Sequence, residues 1–153
     1  MRNIHVERIG NWMYSIDRSI DFTVKDSTFE NVLVYGGGGQ GYAYSTHNTN
    51  DGLFDNIIYK HMRHVIPHGS NMVYHRVSLE DVDFNLHSAF PRQILLDNSQ
   101  IIARTTTGSG HGQYGMGIWS VDTFSDTIHT PVGKRIIAFH NTIESAVESV
   151  FMG

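Results

Sequence analysis

An Asn-centred element returns along this chain at nearly even intervals. Asp55-Asn56-Ile57-Ile58, Asp97-Asn98-Ser99-Gln100-Ile101 and His140-Asn141-Thr142-Ile143 follow one another at spacings of 42 and 43, each close to twice 21. Midway between them, near positions 76 and 118, stand Arg76-Val77-Ser78-Leu79 and Ile118-Trp119-Ser120-Val121, both strand-like. Asp26-Ser27-Thr28-Phe29 precedes the Asp55 element by one such period plus a Gly-rich insertion. β-rich units at a fixed period, with no helical turn in them, predict an all-β solenoid of about 21–22 residues per coil. A β-sandwich or jelly roll of short, irregular strands is the competing fold, but it gives no reason for Asn-x-Ile to recur on schedule.

The segments between the repeats fit that reading. Residues 4–10 alternate and break, Asp17-Arg18-Ser19 is a turn, and residues 20–34 alternate again with Ile20, Phe22 and Val24 on one side. Gly36-Gly37-Gly38-Gly39-Gln40-Gly41 interrupts the pattern, as does a second Gly-rich stretch over residues 105–117. Residues 53–65, 72–84 and 93–103 are short, β-prone and bounded by Pro, Gly, Asn or Ser. Inward Ile, Val, Phe and Leu would stack on the same positions one coil away, ~4.8 Å off. Asn56, Asn98 and Asn141 would then occupy equivalent turns, two coils apart at each step, and form a side-chain ladder. The apolar strand at residues 147–152 runs to the last residue, so the single domain over 1–153 reads as part of a longer solenoid or one covered by another chain.

Charge and composition remove several function classes. A net charge of −4 gives no electrostatic footprint for nucleic acid. No apolar run approaches the ~18–20 residues a spanning helix needs, so no membrane insertion is expected. Cysteine is absent, which removes disulfides, thiolate metal sites and cysteine nucleophiles together. His61, His64 and His68 have a ligand-like spacing, but His-x-x-His works best on a helix and none is predicted, so no metal and no cofactor is assigned.

Residues 60–98 gather most of the chemistry-bearing side chains. His64, His87 and His111 follow one another at close to one coil, and so do His61, Asp83 and Arg104. In a solenoid these would fall on adjacent coils, where a His beside an Asp is biased towards protonation and the pair can hold a hydroxyl or move a proton. A surface ladder that only satisfies turns is the plainer alternative. Asp81 and Asp83 on one strand face, ~7 Å apart, would suit inverting glycoside hydrolysis. Tyr42, Tyr44, Tyr114 and Trp119 lie in or beside the Gly-rich insertions, where aromatic rings offer a carbohydrate platform or cover the core.

Asp55-Asn56-Ile57-Ile58, Met62-Arg63-His64-Val65, Gly69-Ser70-Asn71, Asp83-Phe84-Asn85-Leu86-His87 and Ile94-Leu95-Leu96-Asp97-Asn98 occur in an order that resembles the right-handed parallel β-helix proteins of the pectate-lyase-like superfamily, most of all those of bacteriophage tail spikes and tail appendages. The resemblance spans roughly residues 20 to 150. It implies a right-handed parallel β-helix with two Gly-rich loop insertions, a homotrimer, and a virion tail or a secreted bacterial surface protein as its setting. It also implies a bacterial cell-surface polysaccharide or teichoic-acid-like polymer as partner. An enzyme of this kind would be a depolymerase, hydrolase or lyase, and the other reading is a non-catalytic stalk or adhesin. With the spacings, it marks Asp83, His87 and His64 as catalytic candidates and Arg63, His61, Arg104, His111, Tyr114 and Trp119 as substrate-binding ones.

Overall fold

Apolar–polar alternation is carried into long strands that all pair in parallel. The computed structural model describes residues 1–34, 40–47, 49–67, 69–86, 92–103, 118–119 and 135–145. Among these the chain is all-β, without a helix. In order the strands are β1 (His5–Glu7), β2 (Tyr14–Asp17), β3 (Ile20–Glu30), β4 (Tyr44–His47), β5 (Thr49–Lys60), β6 (His64–Val65) and β7 (Gly69–Glu80). They continue as β8 (Asp83–Asn85), β9 (Arg92–Asp97), β10 (Gln100–Ala103), β11 (Ile118–Trp119), β12 (Ile136–Phe139) and β13 (Thr142–Ser145). The main sheet runs β1-β3-β5-β7-β10-β13, with β9 also on β7 and β12 on β9. A three-stranded sheet, β11-β8-β6, and the pair β2-β4 complete the set.

Register gives the period directly. Thr49 pairs with Gly69 and Ser70 with Arg92, so the sequence step is 20 at the first pairing and 22 at the second. Ile20 pairs with Asn50, a longer step that contains the first Gly-rich run. Ile94 pairs with Ile136 across a step about twice the period, yet the two strands are direct neighbours. Asn56 and Asn98 are therefore two strands apart, with Arg76 between them, as the repeat predicts. From Asn98 onward the arrangement is different. The next step is a single one in the main sheet, and His140, not Asn141, is in register with Asn98. The intervening residues 118–119 pair with β8 in the other sheet instead.

Backbone dihedrals repeat with the same register. Of sixteen non-glycine residues with positive φ among the described ones, fifteen fall into three columns. Asn3, Asp26, Asn56, Arg76, Asn98 and His140 form the first, with φ between 48° and 56°. Arg8, Asn31, His61 and Asp81 form the second; Asp21, Asp51, Asn71, Gln93 and Arg135 form the third. Left-handed backbone costs an ordinary L-residue ~1–2 kcal/mol and costs Asn or Asp least, which is why nine of the fifteen are Asn or Asp. Each such residue bends the strand and resets which side chains face inward. Asp21 does this next to Ile20, leaving Ile20 69% exposed, so of the expected Ile20-Phe22-Val24 face only Phe22 and Val24 turn to the core.

Interior side chains stack in register. Phe29, Tyr59, Leu79 and Ile101 make one buried column, and Val24, Phe54, Tyr74 and Leu96 another. Phe54 and Tyr74 lie 4.6 Å apart and nearly parallel, and Phe29 lies 5.6 Å from Tyr59. Tyr74 meets Phe84 edge-on at 4.9 Å, which joins the main sheet to the small one. Burying each such side chain is worth about 1.5–3 kcal/mol. The Tyr14 and Tyr59 hydroxyls bond each other in this core, and burial pushes both phenols well up, so they stay protonated.

Candidate functional site

Arg63, His64 and Asp83 come together, but inside the molecule. His64 opens β6 and Asp83 opens β8, and the two are direct register partners. The His64 Nδ1 hydrogen-bonds the Asp83 carboxylate, with both side chains fully buried. The Tyr42 ring packs on the His64 ring at 5.3 Å, and the Arg63 guanidinium sits 5.7 Å over the same tyrosine. Arg63 is itself only 2% exposed and donates from Nη1 to the Gln40 carbonyl. A buried carboxylate needs such a partner, since removing one member strands the other's charge. The cluster pins residues 40–43 against β6, helped by the Ala43 N–H donating to the His64 carbonyl.

This geometry corrects several spacings. The neighbour of His64 on the next strand is Asp83, and not His87. His61 is in register with Asp81, not with Asp83, and its Nδ1 lies 3.5 Å from the Asp81 carboxylate. Asp81 occupies a left-handed corner after β7 while Asp83 begins β8, so the two do not share a strand face. Both are buried. Trp119 lies in β11, in register with Asn85. His68, His87, Arg104, His111 and Tyr114 lie outside the described residues, as do the Gly-rich run over 36–39, the second one over 105–117 and the terminal apolar stretch over 147–152.

A solvent-open cleft of about 290 Å³ lies elsewhere, across β7, β10 and β13. Arg76, Asn98 and His140, consecutive members of the first left-handed column, line it together with Gln100, Thr142 and Ser78. The corner aims these side chains outward, and the register brings Gln100 beside both Ser78 and Thr142. Gln100 Nε2 donates to the Ser78 hydroxyl at 2.9 Å.

Among the described residues, the basic side chains that line or flank the cleft each have a carboxylate nearby. Arg76 donates to both carboxylate oxygens of Asp55, from Nη2 at 2.7 Å and from Nε at 2.9 Å. His75 Nδ1 is 3.0 Å from the same carboxylate, and His140 Nδ1 is 3.5 Å from Asp97. Burial pushes the Asp55 carboxyl up, but Arg76 and His75 outweigh it and hold it below the ordinary carboxylate range. Asp55 in turn raises Arg76. The described lining of the cleft thus combines amides and hydroxyls with an arginine already paired to Asp55.

None of the cleft residues was among the candidates taken from spacing and resemblance. Asn98 and His140 did stand out, but as repeat markers. The sequence signal for the cleft was that repeat itself, since residues at a common corner share an outer surface. No protein-family model, curated protein or solved structure matches the chain.

Proposed function

We propose that the chain is a stretch of right-handed parallel β-helix that binds a bacterial cell-surface polysaccharide along its outer face, as a tail-spike or tail-appendage domain would. The fold part of this reading rests on the three columns of left-handed corners, which follow the register of the main sheet. It rests too on the right-handedness of nearly all parallel crossovers. The functional part rests on one observation: a cleft lined by Asn98, Gln100, Thr142 and Ser78 whose described basic neighbours, Arg76 and His140, each lie beside a carboxylate. Saccharide hydroxyls suit amides and hydroxyls of that kind. A phosphate-bearing, teichoic-acid-like polymer would instead want cations free of acids. Binding rather than cleavage is the reading, because His64 and Asp83, the marked acid–base pair, face the interior at 0% exposure.

Calorimetric titration against a panel of purified neutral bacterial polysaccharides tests it. The double variant Gln100→Ala/Thr142→Ala should bind at least about tenfold more weakly, two lost hydrogen bonds at ~1 kcal/mol each, with its melting temperature nearly unchanged. Equal affinity of the variant, or no binding to any member of the panel, counts against the proposal.

A further inference from the structure

We propose that His5, Glu7 and Glu30 form a binding site for a divalent transition-metal ion of the zinc class, on the outer side of β1 and β3. His5 and Glu7 flank Val6 in a strand, so they leave on the same side, while Val6 packs against the core. Glu30 ends β3 in register with Glu7. His5 Nε2 lies 2.7 Å from Glu30 Oε1, and one ligand atom from each of the three residues lies within 4.8 Å of the other two.

Two arguments lead from that geometry to a metal. The donor set is one imidazole nitrogen and two carboxylates, which zinc accepts at about 2.0–2.2 Å with a fourth position left open, whereas magnesium and calcium prefer oxygen alone. Tetrahedral ligands at that length sit roughly 3.4 Å apart, so the widest separation must close by at most ~1.4 Å and the His5–Glu30 pair must open by ~0.7 Å, both within the rotamer freedom of exposed His5 and Glu7. The second argument is electrostatic. Glu7 and Glu30 stand directly opposite each other, an unfavourable like-charge pair on adjacent strands. Lys60, next in the same column, is ion-paired with Glu80 at 3.4 Å. A bound dication would convert the acid pair into ligands and add a side-chain tie to the backbone bonds that join β1 to β3.

The site is separate from the cleft, and its test does not depend on polysaccharide binding. Zinc chloride is titrated into the full chain by calorimetry, with melting followed in parallel. One equivalent should bind in the micromolar range and raise the melting temperature, and magnesium at the same concentration should do neither. His5→Ala and, separately, Glu7→Gln should each weaken binding at least tenfold. Both residues are exposed, so the variants should melt like the parent without metal, and if one does not fold the other decides. No zinc binding overturns the proposal. So does binding that both variants leave intact, since the chain's ten histidines offer other partners. Magnesium binding of equal strength overturns the zinc class.

Discussion

At Gly69 a Cβ would fall 2.2 Å from the Thr49 carbonyl oxygen, and the backbone there has φ +154°. Both facts have one origin. Gly69 opens β7 in register with Thr49, and its positive φ aims the place of a Cβ at the neighbouring main chain, with Met72 Cε also 2.7 Å away. Gly69→Ala should destabilise the fold by about 3 kcal/mol, strain and overpacking together, because a neighbour's backbone cannot turn aside as a side chain can. Gly10→Ala, where nothing lies within 4 Å, should be nearly neutral. Urea melts of the two variants check the contrast, and similar midpoints would refute the close approach. The sequence marked Gly69-Ser70-Asn71 as a motif but could not say which atom excluded a side chain. The same limit applies at Arg63 and His64. Their polarity and spacing suggested a surface, and only packing against Tyr42 and pairing with Asp83 reveal them as interior residues.

Between single residues and the whole lies the corner that divides each long strand unit. Past the left-handed residue the backbone ladder opens, and side chains of the neighbouring strand supply the missing acceptors. Ser27 Oγ accepts from the Ile4 N–H, Ser99 Oγ from the Val77 N–H, and Asn141 Oδ1 from the Ser99 N–H. These three residues share one column, immediately after Asp26, Asn98 and His140. Ser99→Ala should therefore orphan the Val77 N–H, which is buried, and cost about 1–3 kcal/mol. Ser27→Ala should cost less, since Ile4 is 38% exposed and water can replace the hydroxyl. Equal losses in denaturant melts would contradict this role. Here the repeated Asn proves legible but ambiguous. Asn56 and Asn98 take the left-handed corner, while Asn141 sits one place later and acts as an acceptor, donating also to the Leu96 carbonyl. Arg76 and His140 occupy the same corner with no local chemistry that asks for it. Their conformation is imposed by the strands beside them, which no single-residue propensity encodes.

Across the whole molecule, parallel pairing makes cohesion a nearest-neighbour property. A side chain in β5 or β7 is covered from both sides along the stack, and Phe54, Tyr59, Met72, Tyr74 and Leu79 are all 0% exposed. β12 has only β9 as a partner among the described strands, and its inward Ile136, in register with the buried Ile94, is only partly buried. β1 pairs only with β3 among the described strands, through three register pairs and the flanking bonds of Asn3, Ile4 and Arg8. In the β-helix proposed above, stability sums interfaces, so strands with fewer partners open without the centre. Native-state hydrogen exchange should accordingly show backbone amides of β5 and β7 protected at least roughly a hundredfold more than those of β1 and β12. Zinc, if it ties β1 to β3, should raise protection in β1 and leave β12 unchanged, which separates a local clamp from general stabilisation. Uniform protection from β1 to β12 would mean that the strands unfold as one cooperative unit, and the nearest-neighbour account of this fold would have to be abandoned.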